Sequence, residues 1–137
     1  MIAYYLQKIT KQLLVHKLLA FASIPYTILL TVLSLLPQVG PSNMPSNSDK
    51  VFHTIAYFIF TIVWYLFFTY KNKISTKKAI IITVIYAIVF GIIIEILQHT
   101  LTQYRQADIN DVIANTLGAI LAVLIIKLVL KINVKYN

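Results

Sequence analysis

The chain contains no cysteine, which excludes disulfide bonds, thiolate metal ligands and a cysteine nucleophile. Acidic residues are almost as scarce. Asp49, Glu95, Asp108 and Asp111 are the whole complement, set against eleven lysines and one arginine, Arg105. Charged residues fill 12% of the 137 positions, where a soluble domain carries roughly 25%. Apolar residues fill 59%, and the mean hydropathy is +0.81. These shortages exclude a water-soluble fold and point to an integral membrane protein. The length suits a single membrane domain over residues 1–137, since four spans of about 20 residues each leave room only for short loops.

The formal charge of +8 raises the possibility of nucleic-acid binding, but that needs a basic patch on a soluble fold. Here the lysines flank apolar segments, where they set topology and meet anionic lipid headgroups. No nucleic-acid partner is expected. The bilayer is.

Residues 1–17 mix Lys8, Lys11, His16 and Lys17 with Tyr4, Tyr5, Leu6, Leu13 and Leu14, the pattern of a short amphipathic interfacial helix. Leu18 to Leu36 is uncharged and too long for a signal-peptide core, and no small-residue cleavage site follows it. It reads as a retained span, with Pro25 as a kink site. Pro37, Gly40, Pro41 and Pro45 mark a loop. Ser48 and Asp49 suit the start of the next helix, as cap and first-turn carboxylate. Further spans are expected at about 51–70, 79–101 and 112–130, with the basic connection Lys71 to Lys78 between the second and third.

The expected architecture is an all-α, four-helix transmembrane bundle preceded by the interfacial helix. Ten lysines fall on one side with no acid. On the other, Lys50 and Arg105 against four carboxylates leave −2, and the two sides together recover +8. The positive-inside rule then places both termini in the cytoplasm, and a bacterial cytoplasmic membrane is the expected location.

Three polar stripes occupy the opposite, outer side. Lys50, His53, Tyr57 and Thr61 recur at helical spacing. Glu95, Gln98 and His99 stand at i, i+3 and i+4, with Gly91 one turn before. Asp108, Asp111, Asn115, Gly118 and Ala122 continue the pattern, the last part being a small-residue stripe suited to close helix approach. Lipid offers no hydrogen bonds, so these faces should converge inside the bundle.

The residues at this point carry a resemblance. Ser48-Asp49-Lys50-Val51-Phe52-His53 with Tyr57 resembles the D-K-x-x-H-x-x-x-Y segment of the VanZ-like family of bacterial membrane proteins. Gly91, Glu95 and Gln98, then Arg105, Asp108, Asp111, Asn115 and Gly118, resemble its second signature in order and spacing. The family is named for an accessory protein of glycopeptide-resistance clusters. The resemblance implies a role in the cell envelope, in antibiotic resistance or in ordinary envelope upkeep, and assigns no catalytic mechanism.

Several readings of the outer site follow. In the first, Lys50 and Arg105 contact the phosphate-bearing head of an envelope lipid or lipid-linked precursor, with Asp49, Tyr57, Gln98, Asp108, Asp111 and Asn115 completing the binding set. If chemistry occurs there, His53 is the best general base and Glu95 the best acid; whether the chain is an enzyme stays open. In the second, Glu95, His99, Asp108 and Asp111, with His53, hold a divalent cation. The plain structural alternative is a polar network that ties helix ends together. For Ser48 and Asp49 as caps and Tyr57 as an interfacial aromatic, that alternative is favoured. Transport is disfavoured because the inner halves of the spans offer no polar path, although a homo-oligomer would change that. Ser48 lacks the G-x-S-x-G context of a nucleophile.

Overall fold

The computed structural model describes residues 2–37, 48–71, 74–103 and 108–135, with backbone alone at 2, 3, 71 and 132–135. The described residues form five helices and no strand: α1 (Ile2–Phe21), α2 (Ser23–Leu35), α3 (Ser48–Lys71), α4 (Thr76–Leu101) and α5 (Ile109–Lys135). By length and composition they supply four membrane-spanning segments: Tyr4–Leu35, Ser48–Tyr70, Thr76–Leu101 and Ile109–Lys131. The four-span all-α architecture expected from sequence is therefore present.

The first segment departs from expectation in detail. The amphipathic helix does not end at residue 17. It runs on to Phe21, and the break falls at Ala22, inside the stretch expected to be one span. Pro25 explains the position. It has no N–H to give the Phe21 carbonyl, and its ring crowds that carbonyl. The helical ladder closes on either side, with Ala22 N–H donating to Leu18 O at 3.0 Å and Tyr26 N–H donating to Ala22 O at 3.0 Å. Of the α1 side chains described, Ala20 alone is buried.

The bundle core is built from spacing. On α4 the buried residues are Ala79, Thr83, Ala87, Gly91, Ile94, Glu95 and Gln98, a narrow stripe of mostly small side chains recurring every three or four positions. Against it stand large rings from α3. Phe60 stacks on Phe90 with centroids 4.9 Å apart and planes 8° apart, and Tyr57, Trp64 and Tyr86 pack around the pair. At one end a smaller cluster joins Tyr65, Ala79 and Ile126. Outward positions on every span are Leu, Ile and Val, a surface whose natural solvent is lipid.

Glycine sets the closest approach. A Cβ on Gly118 of α5 would lie 2.2 Å from the Thr54 carbonyl oxygen and 2.9 Å from the Phe58 nitrogen, so α3 and α5 touch backbone to backbone there. Some polar groups inside the bundle find partners on neighbouring helices, since hydrocarbon offers none. Tyr26 Oη donates to Ala56 O at 2.9 Å, and Trp64 Nε1 donates to Thr27 Oγ1 at 3.0 Å, joining α2 to α3.

Candidate functional site

The site lies where the start of α3, the end of α4 and the start of α5 meet. Lys50, in the first turn of α3, holds three carboxylates at once: Asp49 Oδ2 at 2.7 Å, Asp108 Oδ2 at 2.7 Å and Asp111 Oδ1 at 2.8 Å. An ammonium has three N–H donors. Two are donated to Asp49 and Asp108, and Asp111 is held as an ion pair. One turn further along α3, His53 Nδ1 lies 3.0 Å from Asn115 Oδ1, and its Nε2 lies 3.5 Å from Asp111 Oδ2. Asn115 thus fixes the ring plane, and Asp111 links the lysine to the histidine.

From α4, Glu95 enters at 4% exposure. Its Oε2 accepts the backbone N–H of Asp108 at 3.1 Å, joining the end of α4 to the entry of α5. Asp108 itself caps α5. Its Oδ1 accepts from the Asn110 backbone at 2.8 Å while Oδ2 serves Lys50. Lys50 and then the Asn110 N–H hold the Asp108 carboxyl below the usual carboxylate range. One ligand atom each from His53, Glu95 and Asp111 fall within 4.8 Å of one another.

Below this group the packing tightens. Tyr57 and Asn115 are both 1% exposed, and neither Tyr57 Oη nor Asn115 Nδ2 has a hydrogen-bond partner among the described residues. Gly91 leaves them room: a Cβ there would meet Asn115 Nδ2 at 3.1 Å and the Tyr57 ring at 3.3 Å. The Tyr57 hydroxyl is also within electrostatic reach of the Glu95 carboxylate.

The sequence profile of the VanZ/LLP1 family matches residues 5–130. The chain belongs to that family. An uncharacterized protein of the fission yeast Schizosaccharomyces pombe is 32% identical over 98 residues, covering 72% of this chain and 58% of the yeast protein. The chain thus spans less than two thirds of that relative, and a similar sequence occurs in a yeast. No solved structure matches the chain.

Of the residues the VanZ-like pattern nominated, the structure brings together Asp49, Lys50, His53, Tyr57, Glu95, Asp108, Asp111 and Asn115. Three placements differ from expectation. His99 is exposed and stands outside the group. The buried face of α4 near its end turns toward Ile94 and Gln98, which leaves the i+4 position on the far edge. Tyr57 is no interfacial aromatic, because it lies within the ring cluster of the core. Gln98 points to α2, donating to Ser34 O at 2.8 Å rather than into the charged group. Arg105 lies outside the described residues.

Sequence reasoning passed over α2. Ser23, Thr27 and Ser34 share one face by their spacing of 4 and 7, and that face supplies Thr27 to Trp64 and Ser34 to Gln98. It also passed over the capping role of Asp108, although Asp108 and Asp111 sit three apart at a helix start, a recognisable signal.

Proposed function

We propose that the polar end of the bundle binds the phosphate-bearing head of a membrane lipid, such as an isoprenoid carrier or a lipid-linked envelope precursor. The observation that carries this reading is the pair of buried donors, Tyr57 Oη and Asn115 Nδ2, left without acceptors among the described residues, below the charged group that Lys50 organises. A buried donor with no partner costs about 1–3 kcal/mol. Oxygen-rich ligands satisfy such donors. The Leu- and Ile-rich outer faces of the same helices place the bundle in lipid, so a headgroup at helix-end depth is within reach of the site. Arg105, in the short segment between α4 and α5, is the natural second cation for phosphate.

The charge pattern supports an outer-leaflet site with both termini in the cytoplasm, and in a bacterial host the protein would act in the cytoplasmic membrane. There its loss should change susceptibility to glycopeptides that target lipid-linked precursors. A similar protein in a yeast favours a ligand class wider than peptidoglycan intermediates, which keeps the polyprenyl phosphate head as the shared chemistry.

One observation favours a structural alternative: Lys50 is already paired with three carboxylates. The two readings separate in nanodiscs by titrating a polyprenyl phosphate against wild-type protein, Lys50→Ala and Arg105→Ala. Lipid recognition requires the affinity to weaken by about tenfold or more in both variants, roughly 1.4 kcal/mol each. A wild-type protein that does not bind, or variants that bind as well as it does, leaves only the network.

A further inference from the structure

We propose that His53, Glu95 and Asp111 form a site for one divalent cation of borderline character, Zn²⁺ or Mn²⁺. The proposal does not depend on the lipid reading, because the site is tested with metal alone.

Three features point the same way. The first is how His53 is held. In the tautomer that donates Nδ1–H to Asn115 Oδ1, 3.0 Å away, Nε2 carries the lone pair and lies 3.5 Å from Asp111 Oδ2. Metal-bound histidines are oriented by such a hydrogen bond on the other ring nitrogen. A neutral imidazole in this tautomer has nothing to donate to Asp111, so a lone pair meets a carboxylate oxygen. A cation between them removes the conflict.

The second feature is distance. His53 Nε2 and Asp111 Oδ2 are 3.5 Å apart, long for a direct hydrogen bond. Two ligand atoms at about 2.0–2.1 Å from a tetrahedral metal are separated by roughly 3.3 Å. The observed gap nearly matches that spacing. All three candidate ligand atoms lie within 4.8 Å of one another, so little movement would close them on an ion. Lys50 contacts the other oxygen of Asp111, Oδ1, leaving Oδ2 for the metal.

The third feature is charge and hydrogen-bond balance. Among the described residues, Lys50 is paired with three carboxylates, Asp49, Asp108 and Asp111, and a divalent ion would offset the negative charge in excess of its ammonium. Lys50 is neutralised by its own carboxylates and so repels the ion weakly. A water completing the coordination shell would offer its oxygen to Tyr57 Oη, buried at 1% exposure and without a partner.

One nitrogen and two carboxylates suit Zn²⁺ or Mn²⁺ better than Mg²⁺ or Ca²⁺, which take oxygen ligands almost alone. The purified protein, stripped with a chelator and reloaded, should hold about one Zn²⁺ or Mn²⁺ per chain by elemental analysis, with a raised melting temperature. His53→Ala, Glu95→Gln and Asp111→Asn should each weaken binding by about tenfold or more, and His99→Ala should bind as the wild type does. Should the variants fail to fold, the wild type alone decides. Its Mn²⁺ form, with ¹⁵N-labelled histidine, should show one directly coordinated imidazole nitrogen by electron spin echo modulation. No retained metal, no coordinated nitrogen, or undiminished binding by a folded His53→Ala variant would overturn the site.

Discussion

The two ends of the bundle are built by opposite means. At one, Tyr65, Ala79 and Ile126 close the helices with apolar side chains, and the aromatic layer around Phe60 and Phe90 lies between this cluster and the polar end. At the other end, Lys50 gathers three carboxylates and His53 joins Asp111 to Asn115. Apolar packing can be dense without being specific. A polar cluster in the same bundle needs each partner at a set distance, and the Tyr57 hydroxyl has no hydrogen-bond partner among the described residues. In the readings proposed above, the rings carry most of the stability and the charged end carries the ligand chemistry.

The most damaging way to break that division is at the contact both ends share. Gly118→Leu would drive a side chain into the Thr54 carbonyl and the Phe58 nitrogen, and folded protein should be lost from detergent extracts, as read by size-exclusion chromatography. Phe60→Ala attacks the ring layer alone. A cavity of that kind costs about 3–5 kcal/mol, so the melting temperature should fall steeply while metal affinity at the far end is kept. If Phe60→Ala abolished metal binding without unfolding, the two ends would not be separable.

Lys50→Met attacks the charged end alone. It leaves three carboxylates facing one another, and the cost should be about 2 kcal/mol, between the values for exposed and fully buried pairs. The effect should shrink at acidic pH, where the carboxylates gain protons; a pH-independent loss in thermal denaturation would argue against the ion network.

Asp108 gives a smaller, pH-resolved effect. Its carboxyl titrates below the usual range because of Lys50 and the Asn110 N–H. A depressed folded value means that the stabilisation is fully present above the unfolded value of about 3.9 and is lost as pH falls through the lower, folded value. Melting temperature should therefore hold from neutrality to about pH 5 and decline below about pH 4. Asp108→Asn should flatten that acid limb, and an unchanged limb would remove Asp108 from it. Smallest of all, His99→Ala should shift stability by no more than about 0.5 kcal/mol, as an exposed side chain outside the cluster.

Much of this division was legible in the sequence because helical spacing is strict. Lys50, His53 and Tyr57 could only share a face, and Asp108, Asp111 and Asn115 likewise, so their convergence followed from the need to hide polar groups from lipid. Depth and partner choice were less legible. Tyr57 reads as an interfacial tyrosine because its hydroxyl suits a headgroup as well as a core, and only the surrounding rings decide. His99 has the right spacing from Glu95, yet a one-residue drift of the buried face puts it outside. The pairing of Lys50 with Asp108 spans 58 positions in sequence, and no local pattern reports it. Pro25 announced a disturbance in the first span, but whether a proline bends a helix or interrupts it depends on what the freed carbonyl meets.

The Gly118 contact has a further consequence for how this molecule could diversify. Thr54, whose carbonyl lies against Gly118, directly follows His53, and Asn115 precedes Gly118 by one turn on α5. The spacing between His53 and its orienting amide is therefore dictated by two main chains in contact, like the fixed jaw of a vice. Glu95 stands on α4, the opposing jaw, whose buried face is mostly small residues. Substitutions along α4 could retune what the site grips while leaving the imidazole where it is.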